Sequence, residues 1–221
     1  MRCVAVSDTH MRDVITPEAD LLIVGGDTTF KGTPEELAFF CDWLKRQPQK
    51  HKVWIAGNHE LELEDNPELG PLLAKETGSI YLNDSAVEIE GLKIWGSPIT
   101  PWYYDWAFNR HRGRPIRKHW DAIPEGLDIL ITHGPPHGSL DVARGGLHAG
   151  CEELYKVLMG MMLPPRYHIF GHIHSGYGQK ILRRPDGKTI TLLNASICNE
   201  KYENANKPFV FNIVPSRKRS V

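Results

Sequence analysis

Net charge and cysteine are both scarce in this chain of 221 residues. The formal charge is −1, so no overall field draws it to long nucleic acid or to an anionic membrane. The four cysteines, Cys3, Cys41, Cys151 and Cys198, are widely scattered and form no CxxC pair. A disulfide framework is not expected at this size, and reduced thiols in or near the core are the better reading. No apolar run approaches the ~18 residues that a membrane span needs. Met1 leads straight into Cys-Val-Ala-Val without the long apolar core or cleavage site of a signal peptide, so cytoplasmic residence is the default expectation. Internal repeats, low-complexity stretches and linkers are absent as well. What remains is ordinary globular material, 41% hydrophobic and 24% charged. The expected organisation is one domain over residues 1–214 with a basic, disordered tail at 215–221.

The pattern alternates strands and helices. Residues 2–7 and 21–25 are short apolar runs that stop at polar residues or glycine, as buried strands do. Leu37, Phe40, Cys41 and Leu44 mark one face of a helix between Thr33 and Gln47, with Thr33 as N-cap and Pro34 as first helical residue. A strand from Lys52 to Ala56 and a helix from Pro67 to Glu76 follow. Strand-like segments then come at 79–82, 86–90 and 92–96, the last pair turned by Glu90-Gly91. Residues 98–116 read as irregular and aromatic. Beyond them come strands at 127–132 and 167–170 around a helix at 152–162, then strands at 177–183, 188–194 and 208–213.

Five polar motifs sit where strands should end: Asp8-Thr9-His10, Gly26-Asp27, Gly57-Asn58-His59-Glu60, Thr132-His133-Gly134 and Gly171-His172-Ile173-His174. The carboxyl ends of strands are where an open α/β sheet binds ligands. Carboxylate, amide oxygen and imidazole are present in enough number to hold two cations, and two metals ~3.5–4 Å apart clamp an in-line displacement. Alone, Asp8 and His10 read as a turn cap and a surface histidine. On a continuing strand their i, i+2 spacing would point both to one side. Asp27 is the natural bridging carboxylate, because its charge offsets the repulsion of two cations. Asn58 is an odd metal ligand unless one neutral oxygen is required, and His59 beside it is left free as a general acid. His172 and His174, two apart after a glycine, can serve different metals. Together the motifs read as a binuclear metallohydrolase.

The same motifs in this order resemble the calcineurin-like metallophosphoesterase superfamily over roughly residues 3–197. More narrowly, Gly-Asp-Thr-Thr-Phe-Lys-Gly, Thr-His-Gly-Pro-Pro, the Gly150-Cys151 region and Gly-His-Ile-His-Ser-Gly-Tyr-Gly resemble a branch that includes mammalian metallophosphoesterase-domain proteins. That branch is associated with hydrolysis of cyclic-nucleotide and other phosphodiesters. The resemblance implies an α/β four-layer αββα sandwich, two mixed β-sheets flanked by helices. It implies that Asp8, His10, Asp27 and His174 hold one metal, that Asp27, Asn58, His133 and His172 hold the other, and that His59 protonates the leaving group. Asp27 and His59 are then the catalytic pair, with Asn58 and His59 also meeting substrate. Where many members carry an acidic or amide residue before Arg-Gly, this chain has Phe30-Lys31-Gly32; Lys31 lacks the bidentate fork, so a solvated loop lysine is the better reading.

The expected chemistry is direct attack by a water acidified between two divalent ions, with no covalent nucleophile. Nitrogen and oxygen ligation without thiolate favours Mn²⁺, with Fe²⁺ and Zn²⁺ also compatible. Glu60 reads as a helix-start residue, with a role in orienting His59 as its alternative. The stretch 98–114 interleaves Trp102, Tyr103, Tyr104, Trp106 and Phe108 with Arg110 and Arg112. Such a stretch can stack a nucleobase, pack the loop onto the domain, or form a dimer face, with packing slightly ahead; Asn109 and Arg110 are its candidate substrate contacts. Gly145-Gly146 and Gly150 read as turns rather than a phosphate cradle, and Asn194 as a weak candidate for the site. The expected partner is a small phosphodiester or nucleotide, with long nucleic acid disfavoured by the missing basic stripe. A phosphomonoesterase, a nuclease, or a metal-binding scaffold without catalysis are the alternatives.

Overall fold

Apolar runs at both ends of the chain meet as neighbouring strands, and the rest of the fold is layered on that meeting. The structure, a computed structural model, describes residues 1–216. In chain order the strands are β1 (Arg2–Val6), β2 (Leu21–Val24), β3 (His51–Trp54), β4 (Ile80–Tyr81), β5 (Ser85–Ile89), β6 (Leu92–Ser97), β7 (Thr100–Pro101), β8 (Asn109–Arg110), β9 (Ile129–Thr132), β10 (Tyr167–Phe170), β11 (Gly178–Arg183), β12 (Thr189–Asn194) and β13 (Phe209–Asn212). The helices are α1 (Pro34–Arg46), α2 (Leu61–Asp65), α3 (Leu69–Thr77), α4 (Arg114–Trp120) and α5 (Glu152–Gly160).

Two mixed sheets result. One runs β13-β1-β2-β3-β4, with β13 antiparallel to β1 and the rest parallel; the other runs β11-β12-β10-β9-β6-β5, antiparallel only at its two outer pairs. Alternation along β1 divides its side chains between two cores. Cys3 and Ala5 join Ile94, Ile129, Ile131 and Ile169 between the sheets, whereas Val4 and Val6 join the helix layer of Leu37, Phe40 and Leu44. Burial on both faces is why these strands read as unbroken apolar runs. The architecture is thus the four-layer sandwich that the resemblance implies.

Helix α1 begins as its sequence dictates. Thr33 accepts from the Glu36 N–H, and the Glu36 carboxylate reaches back to the Thr33 N–H, closing a capping box behind Pro34. Helices α2 and α4 break up segments without a helical reading, and α3 starts at Leu69 rather than Pro67. At five and seven residues, α2 and α4 are too short to show periodicity. The domain also runs past 214: Pro215 is buried, and Ser216 donates to Asp128 Oδ1 at 2.6 Å. The remainder of the expected tail, 217–221, lies outside the described residues. Among those described, no helix is long and apolar enough to cross a membrane.

The sheets are stitched together at the end that carries the motifs. Ser7, just past β1, pairs with Ser196 just past β12, its N–H donating to Ala195 O and its carbonyl accepting from Ile197. Loops after β1, β2 and β3 of one sheet thereby face loops after β9 and β10 of the other.

Candidate metal centre

The segments bearing the candidate ligands leave extended geometry at once. Asp8, His10, Asp27 and His172 have φ of 51°, 40°, 51° and 66°. Left-handed backbone at non-glycine residues costs on the order of 1–3 kcal/mol each and persists where surroundings over-determine it. Here the Asp8 N–H donates to Gly26 O (2.9 Å) and the His10 N–H to Asp27 O (3.1 Å). The His172 N–H is held by both Asp8 carboxylate oxygens, at 2.9 and 3.0 Å. Asp8 and His10 therefore converge through a turn, not through the strand alternation their spacing suggests. Gly57 and Gly171 have a different reason to be glycine, close approach. A Cβ on Gly171 would overlap Asp8 Oδ2, and one on Gly57 would overlap Asp27 Oδ1.

Seven polar side chains meet as two overlapping groups. Asp8, His10 and His174 offer atoms within 4.8 Å of one another, and so do Asp27, His133 and His172. His10 Nε2 lies 3.2 Å from His174 Nε2, which is 3.3 Å from Asp8 Oδ1. His133 Nε2 lies 3.0 Å from Asn58 Oδ1 and 3.2 Å from Asp27 Oδ2. A third grouping, His10, Asp27 and His59, bridges the two through Asp27.

Hydrogen-bond accounting tests whether this set fits cations. His10, His133 and His174 each set Nδ1 against a carbonyl: Thr29 O at 3.0 Å, Gly25 O at 2.9 Å and Asn199 O at 2.9 Å. A carbonyl only accepts, so each Nδ1 carries a proton and each neutral ring turns its Nε2 lone pair inward. Lone pairs, two carboxylates and an amide oxygen then converge with no donor among them. His172 Nδ1 adds a buried nitrogen without a partner. Such an array is satisfied by cations, and mixed nitrogen and oxygen donors suit divalent ions of intermediate hardness.

Without a cation, protons take up the imbalance. Burial opposes a charge on His133, yet the Asp27 carboxylate beside it raises its pKa to about 9. Burial likewise opposes ionisation of Asp27 and Asp8, but their histidine neighbours prevail and hold both carboxyls below the usual range. Burial alone favours neutral His172, and His133 reinforces it, lowering that pKa to about 4.

His59 stands at the edge of this array. Its N–H donates to Asp27 Oδ1 (2.9 Å), and its Nδ1 is committed to Phe30 O (2.7 Å). Nε2 remains free in the cleft, 3.9 Å from Asp27 Oδ2, with the Trp106 ring packed at 4.2 Å between centroids.

Glu60 does more than start a helix, although it does precede α2. Its buried carboxylate accepts N–H groups from Asp27 (3.0 Å), Thr28 (2.8 Å), Thr29 (2.9 Å) and Gly57 (2.6 Å), tying the β2 and β3 loops together. It does not touch the His59 ring. Ser196 is a further participant that no motif marks. It donates to Asp8 Oδ2 (2.9 Å) and to Asn194 Oδ1 (2.8 Å), while Asn194 Nδ2 holds Ile173 O (2.8 Å). Asn194 is therefore a loop tie beneath the ligands. Tyr202 closes over His10 and His174, with ring centroids 4.8 and 5.3 Å away.

The candidate substrate contacts Asn109 and Arg110 are placed elsewhere. Asn109 is buried, its amide holding Tyr103 O and Tyr104 O at 3.0 Å and accepting from Thr100. Arg110 pairs with Glu64 at 2.8 Å, and neither residue lines the cleft. Both are spent on shaping the aromatic loop. Lys31 is exposed and likewise stands off the cleft. Trp102, Tyr103 and Tyr104 do line it, exposed, while Ala107 and Phe108 of the same stretch pack into the core. The cleft, about 830 Å³, opens from Asp27, Asn58, His59, His172 and His174 toward that aromatic rim.

Comparison with known proteins agrees with this geometry. The family described as calcineurin-like phosphoesterase matches residues 1–176. Metallophosphoesterase domain-containing protein 1 of Homo sapiens is 41% identical over 240 residues, spanning 98% of this chain and 72% of that protein. UPF0046 protein C25E10.12 of Caenorhabditis elegans is 36% identical, spanning 96% and 81%. Among solved structures, TT1561 of Thermus thermophilus has a TM-score of 0.57 at 12% identity, covering 96% of this chain and 98% of that one. Another structure reaches 0.66 at 14% identity, covering 87% and 89%; these two likenesses speak to the fold. The ligand-bearing loops, the layered fold and the family match converge: this chain belongs to the calcineurin-like phosphoesterases, a family of metal-dependent phosphoester hydrolases.

Proposed function

We propose that the protein is a phosphodiesterase for small nucleotide or related diesters, working with two divalent cations, Mn²⁺ first among them. Asp8, His10, Asp27 and His174 would hold one ion; Asp27, Asn58, His133 and His172 would hold the other. When bound, such ions supply a nucleophilic water at neutral pH and offset charge on the phosphoryl oxygens. The protein's own part falls to His59. With Nδ1 fixed on Phe30 O, a second proton resides on Nε2, facing the cleft, where it can pass to a departing alkoxide. Trp106 against the ring limits its rotation and shields one face from water.

The observation that carries the reading is the free Nε2 of His59 beside an all-acceptor array sharing Asp27. Preference for a diester follows from charge. A monoester dianion needs extra cationic groups near the phosphorus, but Arg112 is already spent on Gly150 O, Ala149 O and Glu152. The other arginine lining the cleft, Arg144, stands on the distant wall formed by 141–149. Exposed Trp102, Tyr103 and Tyr104 offer flat surfaces for a base or aryl group. His59→Ala, assayed on bis-p-nitrophenyl phosphate with Mn²⁺ bound, should lose roughly 10²–10⁴-fold in kcat. Unchanged kcat with two ions bound would remove His59 as the acid.

A further inference from the structure

The segment between β9 and α5 holds none of the candidate ligands except His133, yet it walls the far side of the cleft. Residues 141–149 form a small hairpin. Val142 and His148 make an antiparallel bridge, the Ala149 N–H donates to Asp141 O (2.9 Å), and Gly145 and Gly146 turn the tip with φ of 86° and 82°. The hairpin is pinned to the metal loops, because Ser175, next to His174, donates to Val142 O at 2.8 Å.

At its base lies a fully buried carboxylate. Asp141 Oδ2 accepts the Gly138 and Gly150 N–H groups (2.9 and 3.2 Å), and Oδ1 faces His148 Nδ1 at 2.8 Å. Burial resists this ionisation, but the His148 hydrogen bond and the amides prevail and lower the Asp141 pKa. The carboxylate can only accept, so His148 Nδ1 is protonated and Nε2 is its free polar atom. His148 is half exposed and lines the cleft. Arg144, at the hairpin tip, also lines it and makes no hydrogen bond or ion pair among the described residues. The acidic residues of this region do not cancel the pair: Glu152 is taken by Arg112, and Glu200 belongs to a different loop. A buried acid orienting an imidazole toward a cleft, with an unpaired guanidinium nearby, is an anion trap.

We propose that His148 and Arg144 form a second anion subsite, one that grips a phosphate of the substrate other than the phosphate under attack. Building on the phosphodiesterase reading, this names the substrate class as phosphodiesters carrying an additional phosphate, such as esters of nucleoside bisphosphates. A cleft of about 830 Å³ has room for both groups, standing high in the ~300–1,000 Å³ range of small-molecule sites. Asp141 acts here as a positioning residue.

Two esters test the proposal: thymidine 5′-(p-nitrophenyl phosphate) with and without a 3′-phosphate, sharing one scissile bond. For the Mn²⁺-loaded protein, KM should be about tenfold lower for the 3′-phosphorylated ester, the scale of one charge-assisted contact. That ratio should fall to about one in His148→Ala and Arg144→Ala, and Arg144→Lys should restore part of it. Equal KM values for the unmutated protein, or a ratio the substitutions leave untouched, would overturn the subsite. Calorimetric binding of thymidine 3′,5′-bisphosphate against thymidine 5′-monophosphate reads the subsite without turnover. Selective binding lost in His148→Ala, with neither ester hydrolysed, would keep the subsite and sink the diesterase reading. Hydrolysis of both esters without selectivity would do the reverse.

Discussion

Replacing Glu60 by Gln changes two atoms in the interior and should unsettle the whole centre. The carboxylate is an acceptor for six groups. Oε1 takes the Thr28 and Thr29 N–H groups and hydroxyls at 2.8–3.2 Å, and Oε2 takes the Asp27 and Gly57 N–H groups at 3.0 and 2.6 Å. A glutamine keeps its oxygen best on the threonine side. Its NH₂ then meets the Asp27 and Gly57 amides, donor against donor, in a residue 1% exposed. Each buried donor left without an acceptor costs roughly 1–3 kcal/mol, so the loss should be about 2–6 kcal/mol. That is a large share of a typical 5–15 kcal/mol stability. Shape is conserved, so no cavity term confuses the result. Urea unfolding of the metal-free protein measures the loss directly, and Mn²⁺ titration should show weaker binding, because Asp27 and Asn58 ride on those amides. A loss under about 1 kcal/mol, with metal affinity intact, would refute the assignment of Glu60 as the ionised anchor of both loops.

Gly171→Ala should cost Mn²⁺ affinity even though it adds one methyl, since its Cβ would overlap Asp8 Oδ2; calorimetry showing unchanged affinity would contradict the packing described. The metal-free protein should lose stability as pH rises. His133 titrates near 9 when folded against about 6.5 unfolded, so its contribution is complete below 6.5 and gone above 9. His174, also raised against burial by its bond to Asp8, adds with the same sign, while His10 and His172 are lowered and act below pH 6.5. Urea midpoints in chelator at pH 6 and 9.5 test this, and a midpoint that rises with pH would be wrong for it. Bound metal displaces the His133 proton, so Mn²⁺ affinity should instead strengthen up to about pH 9.

What could be read from the sequence was what is local. Each ligand follows an apolar run, and strand burial on both faces makes those runs unbroken, so Asp8, Asp27, Asn58, His133 and His172 were visible as strand-end groups. Thr33 and Pro34 announced α1 because capping is a matter of neighbours. The role of Glu60 was hidden because its partners come from the β2 and β3 loops, and only their meeting makes a carboxylate necessary. Ser196 and Tyr202 were hidden for the same reason. Asn109 and Arg110 misled because composition carries no direction: an asparagine amide looks the same whether it faces substrate or the Tyr103 carbonyl. The pairing of two sheets came from family resemblance, since periodicity cannot tell one sheet from two.

The most direct measurement is a Mn²⁺ titration of chelator-stripped protein, following bound metal and bis-p-nitrophenyl phosphate hydrolysis together, with p-nitrophenyl phosphate alongside. Two ions per chain, turnover that rises only with both bound, and preference for the diester are the predicted result. A single ion per chain, or two ions without hydrolysis of either ester, would contradict a shared-Asp27 catalytic centre.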